Sequence, residues 1–221
     1  MHVSDEVTTY PLDYRMFDGP NTLCVHVIET PEATVQFGSG HESTADEVTD
    51  IAVDHDVDVV VAEHGDGDHY GGMPTLRDAI DDVELAVPEG DAEWVRDAGI
   101  DPDHELRDGE TYWEITAIHT PGHTPGNMAF LYDDVLVAGD TLVGTDFDPI
   151  ADDPWSGPFG IVPPSRNTGG DDAAIESVKQ LLELDFETVL VSHGENVYED
   201  GKSAVRTLVD DLEAGIERTE F

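Results

Sequence analysis

The chain has 221 residues and a mass of 24.0 kDa. That is enough to bury a core without disulfides or a partner, and it suits a single domain over residues 1–221. Its 51 Asp and Glu against 9 Lys and Arg give a net charge of −42, yet Leu, Ile, Val and Phe make up about a quarter of the chain, above the roughly 20% below which so charged a sequence stays unfolded. The acids run along the whole length, and their mutual repulsion is screened only near 1 M salt, where the Debye length falls to about 3 Å. The composition resembles that of a salt-adapted, halophilic-type protein, a cytoplasmic location is expected, and in low salt the charge argues against nucleic acid or an anionic membrane as partner. The single cysteine, Cys24, excludes an intramolecular disulfide. No apolar run approaches the 18 residues of a membrane span, and residues 1–13 lack the pattern of a secretory signal.

In chain order, residues 22–29 and 33–37 read as strands on either side of the Thr30-Pro31 turn, followed by a polar helix over about 43–53. Residues 57–62 (VDVVVA) form the strongest strand signal, since four valines between polar loops suit a buried sheet position. A helix is expected over 71–80, a strand over 84–87 and a short helix over 92–98 ended by Gly99. Alternation predicts a strand over 112–119, and residues 127–132 with 135–138 read as a hairpin turning at Asp133-Asp134. Pro149, Pro154, Pro158, Pro163 and Pro164 then break all regularity between 141 and 170, a length of loop more often functional than filler. An amphipathic helix over 171–184, a strand over 188–191 and a helix over 202–217 close the chain. Two β-rich halves, each followed by helices, predict an α/β fold of mixed sheets packed between helical layers.

One cluster stands out. His64-Gly65-Asp66-Gly67-Asp68-His69 follows the valine strand directly, and histidine and carboxylate are what divalent metals accept as ligands. Three later residues share its character, each after a predicted strand and beside a glycine: His123 in TPGHTPG, Asp140 in AGDT and His193 in VSHG. With these residues the chain resembles the metallo-β-lactamase-fold superfamily of metal-dependent hydrolases and related redox enzymes. The signature of that family is His-x-His-x-Asp-His after a strand, then a lone His, a lone Asp and a last His. The resemblance runs from about residue 22 to 211 and implies a four-layer αββα sandwich with a dinuclear centre at one edge. It assigns His64, Asp66 and His123 to a first metal, Asp68, His69 and His193 to a second, and Asp140 to both.

The departure is Asp66, where the family's common motif has its second histidine. Counting Asp66, Asp68, Asp140 and one hydroxide, four negative charges meet the four positive of two divalent ions, which makes the site harder and more tolerant of iron or manganese. Two divalent ions are expected, zinc ahead of iron or manganese. The implied reaction is hydrolysis of a small ester, thioester, lactone or amide by a metal-activated hydroxide, with Asp68 and Asp140 as catalytic residues. The alternatives within the fold are a thiol or persulfide dioxygenase, a diiron oxygen reductase, an RNA-processing nuclease and a metal-binding sensor without turnover; β-lactam cleavage does not follow from membership.

Substrate selection is expected from the irregular segment. Trp155, Phe159 and Ile161 would form an apolar wall, with Asn167 as a polar contact and Arg166 as either an anion contact or a structural ion pair. Tyr70, beside His69, reads as an oxyanion donor or a packing residue. His2, His41, His55 and His104 read as surface residues, His26 as structural, and His119 as packing or as support for His123.

Overall fold

A computed structural model describes residues 3, 4, 6–16 and 19–219 of the chain; His2 lies outside them. The chain starts with a long antiparallel pair, β1 (Val7–Met16) and β2 (Gly19–Glu29). The sequence pattern hid β1 because Pro11 interrupts it. The structure places β1 at the edge of its sheet with Pro11 exposed, where a missing N–H removes no ladder bond. The chain continues through β3 (Thr34–Phe37), α1 (Ala45–Asp54), β4 (Val59–Val61), the single turn α2 (Gly67–Tyr70), α3 (Met73–Ala79), β5 (Glu84–Pro88), α4 (Ala92–Asp97) and β6 (His104–Leu106). β1 to β6 form one sheet in sequence order, antiparallel up to β3 and parallel from there on.

The second half contributes β7 (Thr111–Tyr112), β8 (Ile115–His119), β9 (Met128–Tyr132), β10 (Val135–Val137), the two-stranded pair β11 (Val143–Gly144) and β12 (Phe159–Gly160), α5 (Asp171–Leu181), β13 (Thr188–Leu190) and α6 (Gly201–Ala214). The second sheet has the order β13-β10-β9-β8-β7. The strand expected over 112–119 is broken after Tyr112. Trp113 and Glu114 both take positive φ, 50° and 66°, in a two-residue hairpin turn that carries none of the usual Asn-Gly chemistry.

Side-chain alternation shows how the layers stack. In β4, Val59 and Val61 face the second sheet among Phe37, Ala117, Phe130, Val137 and Leu190, while Val60 packs on the other side with Val48, Ala52, Leu76 and Val95 of the helices. In β10, Val135 and Val137 face the first sheet, and Leu136 meets Val178, Leu181, Val205 and Leu208 of α5 and α6. This is the expected αββα order. Each fully buried valine contributes about 1.5–3 kcal/mol, so the all-buried β4 is a firm base for whatever leaves its end. No helix among the described residues is long and apolar enough to cross a membrane.

Candidate metal centre

Four strand ends converge on one edge of the sandwich. β4 runs into His64 and the short α2 that carries Asp68 and His69; the β8–β9 loop carries His123; a 3-10 turn after β10 carries Asp140; and the loop after β13 carries His193. Cys24 N–H donates to the Ser192 carbonyl at 2.7 Å and Leu23 bridges His193, so the two sheets are joined at this edge. Gly65 is required by close approach: a Cβ there would lie 2.9 Å from Asp91 Cβ.

Asp140 is the hub. Its Oδ2 lies 3.6 Å from His64 Nε2, 3.5 Å from His123 Nε2 and 3.6 Å from His193 Nε2, and its Oδ1 lies 3.6 Å from His69 Nε2. The ligand atoms of His64, His123 and Asp140 lie within 4.8 Å of one another, and so do those of Asp68, His69 and His193. Asp68 Oδ2 is 3.3 Å from His193 Nε2, with the aspartate side chain 12% exposed. Asp66 Oδ2 is 3.0 Å from His123 Nε2, and at 45% its side chain is far more exposed. All seven residues expected as ligands therefore meet at one place.

The fields of these groups oppose burial. Burial raises the Asp140 carboxyl, but His193, His69 and His64 outweigh it and hold the group well below the usual carboxylate range. Asp68 is likewise lowered against burial, chiefly by the His193 imidazole beside it, and Asp66 by its hydrogen bond to His123. For His69, burial is overcome by Asp140, Glu63 and Asp68, which push it up to about 10; His193 is raised by Asp140 and Asp68. His64 goes the other way, lowered by burial and by the neighbouring His69.

The donor set fits cations. The Nε2 atoms of His64, His69 and His193 and Oδ1 of Asp140 are buried and make no hydrogen bond. Stranding such an atom costs about 1–3 kcal/mol. Four of them facing one point, in two groups of imidazole and carboxylate, are what a pair of divalent ions would satisfy.

The supports of this cluster were not visible in the sequence pattern. Glu63 is fully buried, and its Oε2 accepts from His69 Nδ1 at 2.9 Å. Asp91, also fully buried, accepts from the N–H of Gly65 at 2.9 Å, from the N–H of Gly126 at 2.8 Å and from the Thr124 hydroxyl, tying the His64 segment to the His123 loop. Asn127 Nδ2 donates to the Thr120 carbonyl at 3.0 Å and to Thr141 Oγ1 at 2.8 Å, joining that loop to the Asp140 turn. His119 contacts the Pro125 carbonyl through Nε2 at 2.8 Å inside the same loop, and His26 sits fully buried between Thr9 Oγ1 and the Val191 carbonyl. Burial lowers His26 to about 4. His55 and His104 pair with Glu29 and Glu84 away from the centre.

A cavity of about 460 Å³ opens over the cluster, within the range of small-molecule sites. Its walls are Tyr14, His41, Phe147, Pro149, Val162, Pro163, Ser165, Arg166 and Thr168. The walls differ from the expected ones except at Arg166. Trp155, Phe159 and Ile161 pack behind the cavity in the core formed with α5 and α6, because the β11–β12 pairing turns that stretch inward and Trp155 lies over Gly160. Asn167 donates to Asp171 Oδ1 at 2.7 Å at the start of α5, and Tyr70 packs against the core under α1 and α3. Phe147 supplies the apolar wall, its ring stacked on His193 at 4.8 Å. His41, read as a surface residue, lines the mouth with its ring 5.5 Å from that of Tyr14. Burial and the Asp68 charge push the Tyr14 hydroxyl up to about 12. Thr168 gives both its N–H (2.9 Å) and its hydroxyl (2.8 Å) to the His123 carbonyl, fastening the Arg166 segment to the centre.

A family model described as the metallo-beta-lactamase superfamily matches residues 54–193. Among curated proteins, the chain is 29% identical over 158 residues to the uncharacterized protein YobT of Bacillus subtilis, covering 61% of this chain and 66% of that one. It is 26% identical over 126 residues to an atrochrysone carboxyl ACP thioesterase of Aspergillus chevalieri (53% and 39%) and 36% identical over 87 residues to a hydroxyacylglutathione hydrolase of Xanthomonas euvesicatoria (38% and 32%). The chain thus spans less than two thirds of the length of each of these relatives. Among solved structures, a metallo-beta-lactamase from Pontibacter korlensis superposes with a TM-score of 0.73 at 17% identity, covering 95% of this chain and 96% of that one. A flavoprotein from Thermotoga maritima superposes at 0.72 with 19% identity, covering 92% of this chain and 57% of that one. These last two show a shared fold.

Proposed function

The chain belongs to the metallo-beta-lactamase superfamily, and from that membership and the geometry of the Asp140 cluster we infer a dinuclear metal-dependent hydrolase, with zinc as the metal, acting on a small acyl ester or thioester. The observation that carries the reading is the convergence of four imidazoles on Asp140, three of them with a buried Nε2 that makes no hydrogen bond. His64, Asp66 and His123 would hold one ion, Asp68, His69 and His193 the other, with Asp140 between them. Ions bound there would supply an activated water at neutral pH and polarise a carbonyl.

The chain's own residues divide the remaining work. Asp68 is held as a carboxylate by His193 and serves to orient. Asp66 faces the cavity and is kept a carboxylate by His123. Tyr14 stays protonated and is placed on the cavity wall to donate to a developing oxyanion. Phe147, Pro149 and Val162 shield the site from water on one side, and Arg166 favours an anionic substrate. The printed names of two relatives, a thioesterase and a hydroxyacylglutathione hydrolase, support an acyl substrate.

The test is metal analysis of the purified chain, followed by a panel of thioesters, esters and lactones in molar salt with Arg166→Ala alongside. Two metal equivalents, turnover of an acyl substrate and a raised KM for anionic members in the variant are expected. A chain that takes up no metal refutes the reading; unchanged kinetics in Arg166→Ala remove the anion contact. One observation favours a second reading as an iron redox enzyme: the carboxylate of Asp66 beside His123 hardens the site. Iron as the bound metal, with oxygen consumption and no hydrolysis, would select it.

A further inference from the structure

Glu63 takes no part in the chemistry above, yet it is a carboxylate placed wholly out of solvent at the end of β4. Its Oε2 accepts from His69 Nδ1 at 2.9 Å, and its Oε1 accepts from Ser192 Oγ at 3.5 Å, where Ser192 directly precedes His193. Its two side-chain hydrogen bonds therefore go to His69 itself and to the residue before His193, both on the Asp68/His69/His193 side. The other cluster leans on a different acid, Asp91, whose partners are Gly65, Thr124 and Gly126. Neither acid lines the cavity, so neither is placed to touch a substrate.

A neutral acceptor could hold the loop without the several kcal/mol that desolvating a carboxylate costs. A carboxylate does two further things. It fixes Nδ1 of His69 as the protonated nitrogen, which turns the Nε2 lone pair toward Asp140, 3.6 Å away. It also adds electron density to the ring, and so raises the strength of Nε2 as a ligand. The unpartnered Nε2 of His69 shows that the ring is aimed by its far side. We propose that Glu63 is a positioning residue that sets the metal affinity of the Asp68/His69/His193 site separately from that of its neighbour. The inference rests on the two-metal reading and adds to it a residue that acts on one ion only.

The metal-free chain in molar salt is titrated with Zn2+ against a chromophoric chelator, and with Co2+ followed by its visible absorption. The step belonging to the Glu63-backed site is identified by its loss in His193→Ala. Glu63→Gln is expected to weaken that step roughly ten- to a hundredfold and to shift its Co2+ band, leaving the other step in place. Glu63→Asp keeps the charge but draws it back by a methylene, and is expected to give a smaller loss at the same step; it carries the test if the glutamine variant does not fold. Equal weakening of both steps, or no change in either, overturns the proposal. A wild-type chain that binds neither metal overturns the two-metal reading along with it, whereas two intact steps indifferent to Glu63 overturn this inference alone.

Discussion

Replacing Asp91 with alanine probes how the first half of the centre is held together. Three donors end on this carboxylate: the N–H groups of Gly65 and Gly126, at 2.9 and 2.8 Å, and the Thr124 hydroxyl. The hydroxyl can turn to another acceptor, but the two backbone donors cannot follow, because Gly126 is packed directly against the Asp91 backbone. Each buried donor left unpaired costs about 1–3 kcal/mol, so the two together cost about 2–6 kcal/mol, reduced by the desolvation that the lost carboxylate no longer requires. A net loss of about 3 kcal/mol is expected, a large part of the 5–15 kcal/mol that holds an ordinary domain folded. Urea titration of the metal-free protein at constant molar salt measures it. Asp91→Asn keeps one acceptor oxygen but turns an NH2 toward a backbone N–H, and should fall between wild type and alanine. A loss below about 1 kcal/mol for the alanine variant would show that the two loops keep their shape unaided, and the clamp would then be no clamp. The same variant should weaken metal binding at the His64/His123 side and spare the side backed by Glu63.

Removing the hub by Asp140→Ala should empty both metal positions, read as metal per chain by elemental analysis; full retention would contradict the ligand assignment. His26 is held neutral by burial, with its folded value near 4 against 6.5 in the unfolded chain. Between those values the unfolded chain binds more protons, so stability falls as pH drops from 6.5 to 4, by about 3 kcal/mol from this group. His26→Gln should flatten that part of the pH dependence in urea melts at pH 7.5, 6 and 4.5, and an unchanged slope would count against it. Diluting salt from about 1 M to 0.1 M lengthens the screening distance from about 3 to 10 Å, and a chain of net charge −42 should lose stability in step. A urea midpoint independent of salt would remove the salt-adapted reading.

The cluster around Asp140 could be read from the sequence because the His64–His69 run, His123, Asp140 and His193 each follow a strand with glycine alongside. β4 was equally legible, its valines being buried on both faces. Other features were hidden for physical reasons. Glu63 and Asp91 are two acids among 51, and only burial, a tertiary property, sets them apart. β1 carries a proline that only an edge position tolerates, and the turn at Trp113-Glu114 is imposed by its neighbours rather than by its own preferences. In the segment 141–170 no period says which side chains face the Asp140 cluster. The β11–β12 pairing decides it, sending Phe159 to the core and leaving Phe147 at the cavity.

The floor of the cavity and its rim are carried by different stretches of chain. The floor hangs from strand ends and the acids behind them, whereas the rim comes from Tyr14, His41, Phe147, Pro149 and the stretch 162–168. Substitutions in the rim can therefore change the shape of the opening while the residues of the floor stay as they are. The freedom stops at Thr168, whose double grip on the carbonyl of His123 would pass any lengthening of the loop straight into the floor.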